Sequence, residues 1–97
     1  MENEKVINLI QKISIDRDEK AFSEIFDFIA PKINAYYIKN NLDFDQAEEL
    51  TQEVLSTIWS KAYLFDSQKS KFITWSFTIA RNKKIDFYRK KYKKHHG

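Results

Sequence analysis

The sequence predicts an all-α fold, a compact bundle of three to four helices that ends in a long basic helix. Apolar residues recur at helical spacing along most of the chain. The single glycine and the absence of Asn-Gly and Asp-Gly pairs argue against β-hairpins. With 97 residues, 42% of them hydrophobic and 15% aromatic, the chain has the apolar surface for one small core, which predicts a single domain over residues 1–97.

The first two helices are predicted from their apolar stripes. A short helix at about residues 4–15 precedes a core at about residues 18–91. Asp18 is the expected N-cap of the second helix. Pro31 lies inside that helix, and because proline has no backbone donor we expect a kink or a restart there. The apolar residues of these two stripes are Val6, Ile7, Ile10, Ile13, Phe22, Ile25, Phe26, Ile29, Ile33, Tyr36 and Tyr37.

The third helix combines a buried stripe with an acidic exposed face. Asp45 is the expected N-cap, with Glu48 as its capping-box partner. At about 100° per residue, the core side carries Ala47, Leu50, Val54, Ile58 and Ala62. The opposite side carries Glu49, Gln52, Glu53, Ser56 and Ser60. Leu55 and Trp59 fall on the boundary between the two sides.

The last helix is predicted to change character along its length. It begins near Lys71, after a loop, and its first half is apolar nearly all round, which predicts burial on more than one side. Its second half is rich in lysine and arginine. Residues 92–97, which include His95 and His96, are expected to form a frayed basic tail.

Charge is distributed unevenly along the chain. Residues 1–80 contain nine basic and 13 acidic side chains, a net charge of −4. Residues 81–97 contain eight basic side chains and one acid, Asp86, a net charge of +7. An acidic body with a basic end indicates two partners of opposite sign, and the basic end suits nucleic acid or an anionic membrane. A solvated basic tail that aids solubility is the simpler alternative.

Several classes of function are excluded or disfavoured. The absence of cysteine excludes disulfide frameworks and thiol catalysis, and a single glycine excludes a glycine-rich phosphate loop. No apolar run approaches the roughly 18 residues of a membrane span, and the acidic N-terminus lacks a signal sequence, so we expect a cytoplasmic location. Glu48, Glu49 and Glu53 have no histidine partners for a metal site of the helical-bundle type. We therefore expect no enzyme activity, metal or cofactor.

The loop and the last helix bring together side chains that suit a nucleic-acid surface. Cations for phosphates, hydroxyls and an amide recur there at helical spacing. The candidate DNA-binding residues are Lys69, Lys71, Thr74, Trp75, Thr78, Arg81, Asn82 and Arg89. Tyr63, Phe65 and Trp75 could stack on unpaired bases. A core position is the favoured alternative for Trp75.

An ordered set of motifs resembles region 2 of bacterial RNA polymerase sigma factors, in the extracytoplasmic-function (ECF) group. The similarity runs from about Asp18 to Lys91. Its motifs are Glu49-Leu50-Thr51-Gln52-Glu53, Trp59, Thr74-Trp75, Ile79-Ala80-Arg81-Asn82, Ile85-Asp86 and Arg89. Single motifs are weak signals, but their order and spacing together are specific.

The resemblance implies a non-catalytic role in transcription initiation. Region 2 docks on a coiled coil of the polymerase β′ subunit and captures the melted −10 promoter element as single-stranded DNA. By position, the polymerase-binding residues are Glu49, Gln52, Glu53 and Trp59. The loop from Phe65 to Lys71 would form much of a pocket for a flipped base, beside Trp75. An anti-sigma factor is an expected further partner. In the family a region 4 domain usually follows region 2, and we expect none within residues 1–97.

Three alternative hypotheses remain at this point. A generic helical protein could bind double-stranded DNA through the last helix in the major groove. A module with a basic arm could bind a membrane surface. A carboxylate–metal site around Glu48, Glu49 and Glu53 would make the protein an enzyme. These hypotheses differ in whether single-stranded DNA, duplex DNA, lipid or metal is bound.

Overall fold

The computed structural model describes residues 1–96, with side chains as far as Lys91, and consists of four α-helices. They are α1 (Asn3–Asp16), α2 (Glu19–Lys39), α3 (Phe44–Lys61) and α4 (Phe72–His96), with a 3₁₀ turn at Ala62–Leu64. The all-α prediction is confirmed. The side chains of the predicted tail, residues 92–97, and the whole of Gly97 lie outside the described residues.

The second helix is continuous through its proline. Asp18 is its N-cap as predicted, since its carboxylate accepts a hydrogen bond of 3.0 Å from the Ala21 amide. Of the two alternatives predicted at Pro31, a kink or a restart, the restart is wrong, because α2 runs unbroken past the proline. Pro31 lies on the exposed side, whereas Ala30 and Ile33 beside it are buried in the core. Core packing therefore holds α2 helical despite the missing hydrogen bond.

The third helix begins two residues earlier than predicted. Its N-cap is Asp43, which forms a capping box with Gln46, so the prediction of Asp45 and Glu48 is wrong. The preceding Leu42 is buried, and Asn41 adopts a left-handed φ of 72° that ends α2. Because this turn is so tight, the chain can begin the next helix directly after Leu42.

The core lies where the four helices meet. In α3 the whole predicted stripe is buried, and Leu55, predicted at the boundary, is buried as well. The first half of α4 is less enclosed than predicted, since Phe72 and Ala80 are buried but Ile73 is 38% exposed. The described core residues shared by the helices include Ile13, Ile25, Ile29, Ile33, Tyr37, Val54 and Ile58.

A buried hydrogen bond joins α2 to α4. The Tyr37 hydroxyl donates to the Ala80 carbonyl over 2.7 Å. Burial, with smaller contributions from Tyr36 and Glu53, raises the pKa of Tyr37 well above its ordinary value. This phenol therefore stays a neutral donor, and it fixes α4 against the bundle at the point where its basic half begins.

In the described part of the chain, no helix combines the length and the apolar character needed to cross a membrane.

Candidate functional site: an acidic helix face and a basic helix with a groove

The first candidate surface is the acidic α3 face, formed by Glu49, Gln52, Glu53, Ser56 and Ser60. All five side chains are exposed, as predicted. The face is rigid because the opposite side of α3 is fully enclosed in the core. Two carboxylates and an amide on one fixed helix face can bind a basic helical surface through charge-assisted hydrogen bonds.

Trp59 lies at the edge of the acidic α3 face, where an apolar groove separates α3 from α2. The Trp59 ring is half-buried, and its centroid lies 5.1 Å from that of Phe22 in an edge-to-face arrangement. The Arg17 guanidinium lies 4.0 Å from the centre of the same ring. Phe26, Gln52 and Leu55 line the groove beside Trp59. The four predicted polymerase-binding residues therefore lie on or beside one surface.

The second candidate surface is the polar α4 face. At about 100° per residue, Thr74, Thr78, Arg81, Asn82 and Arg89 fall on one side of α4, and all five are exposed. They face away from the buried side that contains Phe72, Ser76 and Ala80. Hydroxyls, an amide and cations on one exposed helix face can bind a sugar–phosphate backbone.

A groove borders the polar α4 face and brings Trp75 and Asn82 together. It lies between the end of α3 and the first half of α4. The residues that line it are Thr57, Lys61, Leu64, Trp75, Ile79, Asn82, Lys83 and Asp86. Apolar walls beside an amide and two lysines can hold a planar, polar-edged group such as a nucleobase.

Trp75 serves both the core and this groove. Its ring centroid lies 5.3 Å from that of Phe65 and 6.1 Å from that of Phe72, and the side chain is half-buried. The favoured core position and the stacking position are therefore compatible, because one part of the ring packs inward while another lines the groove. Tyr63, another of the predicted base-stacking aromatics, is 66% exposed.

The loop before α4 is held in a compact turn by Asp66. Its carboxylate accepts from the Gln68 amide over 2.9 Å, and its carbonyl accepts from the amides of Lys69 and Ser70. Phe65 anchors the same loop, since its ring packs edge-to-face on Phe72 with centroids 5.8 Å apart. A loop fixed at both points can present a shaped edge to a ligand with little ordering cost.

The predicted DNA-binding residues are not all gathered at one point. Trp75 and Asn82 line the groove, and the polar α4 face extends along the helix from there. Lys69 and Lys71 are exposed in and just after the loop and do not line the groove. Arg89 lies further along α4 and forms an exposed pair with Asp86 at 3.8 Å.

Sequence reasoning missed the groove residues contributed by the end of α3 and by the 3₁₀ turn that follows it. Thr57, Lys61 and Leu64 are separated in sequence from α4, and helical periodicity alone does not show which helices meet. The one signal in the sequence was a large apolar residue, Leu64, directly before the loop. The structure shows that this side chain is 56% exposed. Among the side chains that the structure describes, as far as Lys91, no group of acidic or histidine residues is arranged to hold a metal ion.

A comparison with models of protein families shows to which family the chain belongs. The model described as Sigma-70 region 2 matches residues 34–94, more than half of the chain. The chain belongs to the sigma-70 region 2 family. The match includes both α3 and α4, so it covers both candidate surfaces, and it confirms the resemblance found in the motifs.

Relatives with described functions support the same family. The sigma region 2 chain is 45% identical over 84 residues to the ECF RNA polymerase sigma factor RpoE of Cereibacter sphaeroides, covering 87% of the chain and 46% of that protein. It is 31% identical over 69 residues to the ECF RNA polymerase sigma factor SigK of Mycobacterium tuberculosis, covering 71% of the chain and 37% of that protein. The chain thus spans less than half the length of these relatives.

A solved structure gives the corresponding structural match. The crystal structure of Rhodobacter sphaeroides SigE in complex with the anti-sigma ChrR superposes with a TM-score of 0.77 at 45% sequence identity. The match covers 78% of the sigma region 2 chain and 44% of the SigE chain. The predicted all-α region 2 architecture is therefore confirmed by a solved relative.

Proposed function

We propose that the chain acts in transcription initiation as region 2 of an ECF sigma factor, a non-catalytic module that gives RNA polymerase its promoter preference. The observation that supports this most is the separation of two unlike surfaces within one family-matched region. The acidic α3 face and the polar α4 face are both exposed, and they lie on different helices. One module can therefore bind a basic protein surface and an anionic strand at the same time.

The acidic α3 face is the proposed docking surface for the β′ coiled coil of the polymerase core. Glu49, Gln52 and Glu53 would provide the hydrogen bonds, and Trp59 would close the edge with apolar contact. Electrostatic complementarity of this kind raises the association rate and selects the partner. The body of the chain, at net charge −4 over residues 1–80, suits a basic protein partner better than DNA.

The groove at Trp75 and Asn82 is the proposed pocket for a flipped base of the −10 element. Flipping a base costs a few kcal/mol, and one stacking interaction returns about 1–3 kcal/mol. Arg81, Arg89 and the loop lysines Lys69 and Lys71 would add sequence-independent binding to phosphates by counterion release. Thr74 and Thr78 would position the backbone through their hydroxyls.

Further partners and location follow from the same assignment. SigE, the solved relative, was crystallised with an anti-sigma factor, and we infer that an anti-sigma factor also covers the proposed polymerase and DNA surfaces of this chain. We place the protein in the bacterial cytoplasm, where the transcription machinery works, and assign it no cofactor and no enzymatic activity.

A selection experiment tests the proposed function. The chain is incubated with core polymerase and a pool of random single-stranded oligonucleotides, and the retained strands are sequenced. We expect one short enriched motif that requires polymerase and disappears with Asn82→Ala. A parallel pool of random duplexes should give no enrichment. Duplex enrichment without polymerase would instead support a major-groove binder, which the exposed basic half of α4 makes the second candidate.

A further inference from the structure

The basic half of α4 is held to the bundle by a small polar cluster at the end of α2. The Lys84 ammonium donates to the Asn40 side-chain oxygen over 3.1 Å. The Tyr88 hydroxyl donates to the Asn40 backbone carbonyl over 3.0 Å. These three residues, Asn40, Lys84 and Tyr88, are called the Asn40 staple below.

Asn40 is also held by hydrogen bonds to the last turn of its own helix, α2. Its side-chain nitrogen donates to the Tyr36 carbonyl over 2.8 Å, and its backbone amide donates to the carbonyls of Tyr36 and Tyr37. Both groups of Asn40 that reach α4, the amide oxygen and the backbone carbonyl, are therefore held in place. The partners in the staple are 44 and 48 residues apart in sequence.

Lys84 is in a favourable electrostatic position for this contact. It lies at the C-terminal end of α2, where the unpaired carbonyls and the helix dipole favour a positive charge. Its ammonium also lies 5.2 Å from the centre of the Tyr36 ring. Lys84 is half-buried, unlike Arg81 and Arg89. Its charge is therefore committed to the fold rather than exposed on the polar α4 face.

Beyond the staple, α4 has little to hold it. Arg89, Lys90 and Lys91 are exposed, and the only ion pair that this part of the described chain makes is the local one between Asp86 and Arg89. Phe87, which is half-buried against the core, provides the apolar contact beside Tyr88. The staple is thus the last polar contact between α4 and the bundle within the described side chains.

We propose that Asn40 is a positioning residue for DNA binding: through Lys84 and Tyr88 it fixes the direction in which the basic half of α4 leaves the bundle. This inference rests on the proposed function. With the direction fixed, Arg89 keeps one position relative to the α3 side of the groove, at Thr57 and Lys61. Without the staple, that ordering would have to be achieved during binding, and the affinity would fall accordingly.

A distance measurement tests the positioning without any ligand. The chain contains no cysteine, so spin labels can be placed on Ser23→Cys in α2 and Lys91→Cys in α4. We expect a narrow distribution of label-to-label distances in the otherwise wild-type chain. The distribution should be broader in Tyr88→Phe, and broader again in the double variant Tyr88→Phe with Lys84→Gln. A second label pair at Ser23→Cys and Ser60→Cys, within the bundle, should not change. An unchanged α2–α4 distribution in the double variant would overturn the inference.

A binding measurement then connects position to function. In the presence of core polymerase, Tyr88→Phe should weaken binding of the selected single strand about 2- to 10-fold, the range expected for one net hydrogen bond. The slope of log affinity against log salt should not change, because the same phosphates are contacted once the strand is bound. The matched control Arg89→Gln removes a proposed phosphate contact outside the staple, and it should reduce that slope without broadening the distances.

The outcomes separate this inference from the proposed function. Lys84→Arg keeps the donor and the charge that Lys84→Gln removes. If a chain with Lys84→Arg has the distance distribution and the DNA affinity of the wild type, the positioning role is supported. If Tyr88→Phe broadens the distances but binds DNA with wild-type affinity, the positioning role for DNA is overturned. If the wild-type chain binds no strand with polymerase present, the proposed function fails, while the distance result still decides whether the staple orients α4.

Discussion

The third helix and the basic half of α4 are both exposed helical surfaces, but they are held in place by different forces. The acidic α3 face is the outer side of a helix whose inner side, including Ala47, Val54 and Ile58, is fully buried. The basic half of α4 is held mainly by Phe87 and the polar Asn40 staple. The acidic α3 face is therefore held by the packed core, whereas the position of the basic half of α4 depends on Phe87 and a few hydrogen bonds.

The difference suits the two proposed partners. A protein coiled coil has a fixed shape, and a preformed face binds it with little ordering cost. A melted DNA strand is flexible, so it can adjust to an α4 whose direction the Asn40 staple fixes, while the groove at Trp75 holds one base. Apolar packing and polar contacts thus hold the two surfaces of one small domain in place by different means.

The largest expected effect comes from the core beneath α3. Ile58→Ala should lower the free energy of unfolding by about 2–5 kcal/mol, because it leaves a cavity in a fully buried site. Urea unfolding followed by circular dichroism measures this. Ser60→Ala on the exposed side is the control and should change stability by less than about 0.5 kcal/mol. Equal effects at the two positions would contradict the assignment of buried and exposed sides.

The next effect concerns the buried link between α2 and α4. Tyr37→Phe removes the hydrogen bond to Ala80 and should cost about 1 kcal/mol. The pKa of Tyr37 is raised in the folded protein, while in the unfolded chain it is near 10.0. Above that pH the unfolded chain binds fewer protons than the folded one, so stability should fall by up to about 1.4 kcal/mol per pH unit.

Urea unfolding between pH 8 and pH 11 measures this pH dependence. The stability of the matched variant Tyr37→Phe should decline less steeply than that of the wild type above about pH 10, because the two proteins differ only in this phenol. A decline of the same steepness in Tyr37→Phe would show that the buried phenol does not couple folding to pH.

A smaller effect is expected at the groove. Asn82→Ala should weaken recognition of the selected −10 strand by about 2- to 10-fold, the loss of one hydrogen bond. Binding of arbitrary single strands should change less, because phosphate contacts carry that binding. Fluorescence anisotropy with both strands and core polymerase measures the difference. Equal losses on both strands would make Asn82 a non-specific contact.

The smallest effect is expected for the exposed ion pair on the basic half of α4. Asp86→Asn removes the partner of Arg89, which lies 3.8 Å away, and both side chains are more than half exposed. Such pairs contribute little, so stability should change by less than about 0.5 kcal/mol. A loss above 1 kcal/mol in thermal unfolding would show that this half of α4 is held by charge pairs and not by the staple.

Local features of the fold could be predicted from the sequence. The apolar stripe of α3 and the cap at Asp18 both depend on neighbouring residues, and the structure agrees. The cap of α3 was placed wrongly because Asp43 and Asp45 each have a capping partner three residues on. The buried Leu42 decides between them, and burial depends on the whole fold.

Contacts between distant residues could not be predicted. Tyr37 meets Ala80, and Asn40 meets Lys84 and Tyr88, because α2 and α4 pack together. Helical periodicity shows which side of a helix is buried but not which helix covers it. For the same reason the sequence predicts the polymerase-binding and DNA-binding residues but not how they are arranged in space. The groove that joins the end of α3 to Trp75 and Asn82 emerged only from the structure.

The acidic α3 face is tested most directly by binding to a purified bacterial β′ coiled-coil fragment, measured by calorimetry with the wild-type chain, Glu53→Lys and Glu4→Lys. Glu4 is exposed on α1, so Glu4→Lys makes the same charge change away from the face. We predict that the wild type and Glu4→Lys bind, and that Glu53→Lys does not bind although its circular dichroism is unchanged. Equal binding by all three proteins, or no binding by a folded wild type, would contradict the assignment of this face to the polymerase.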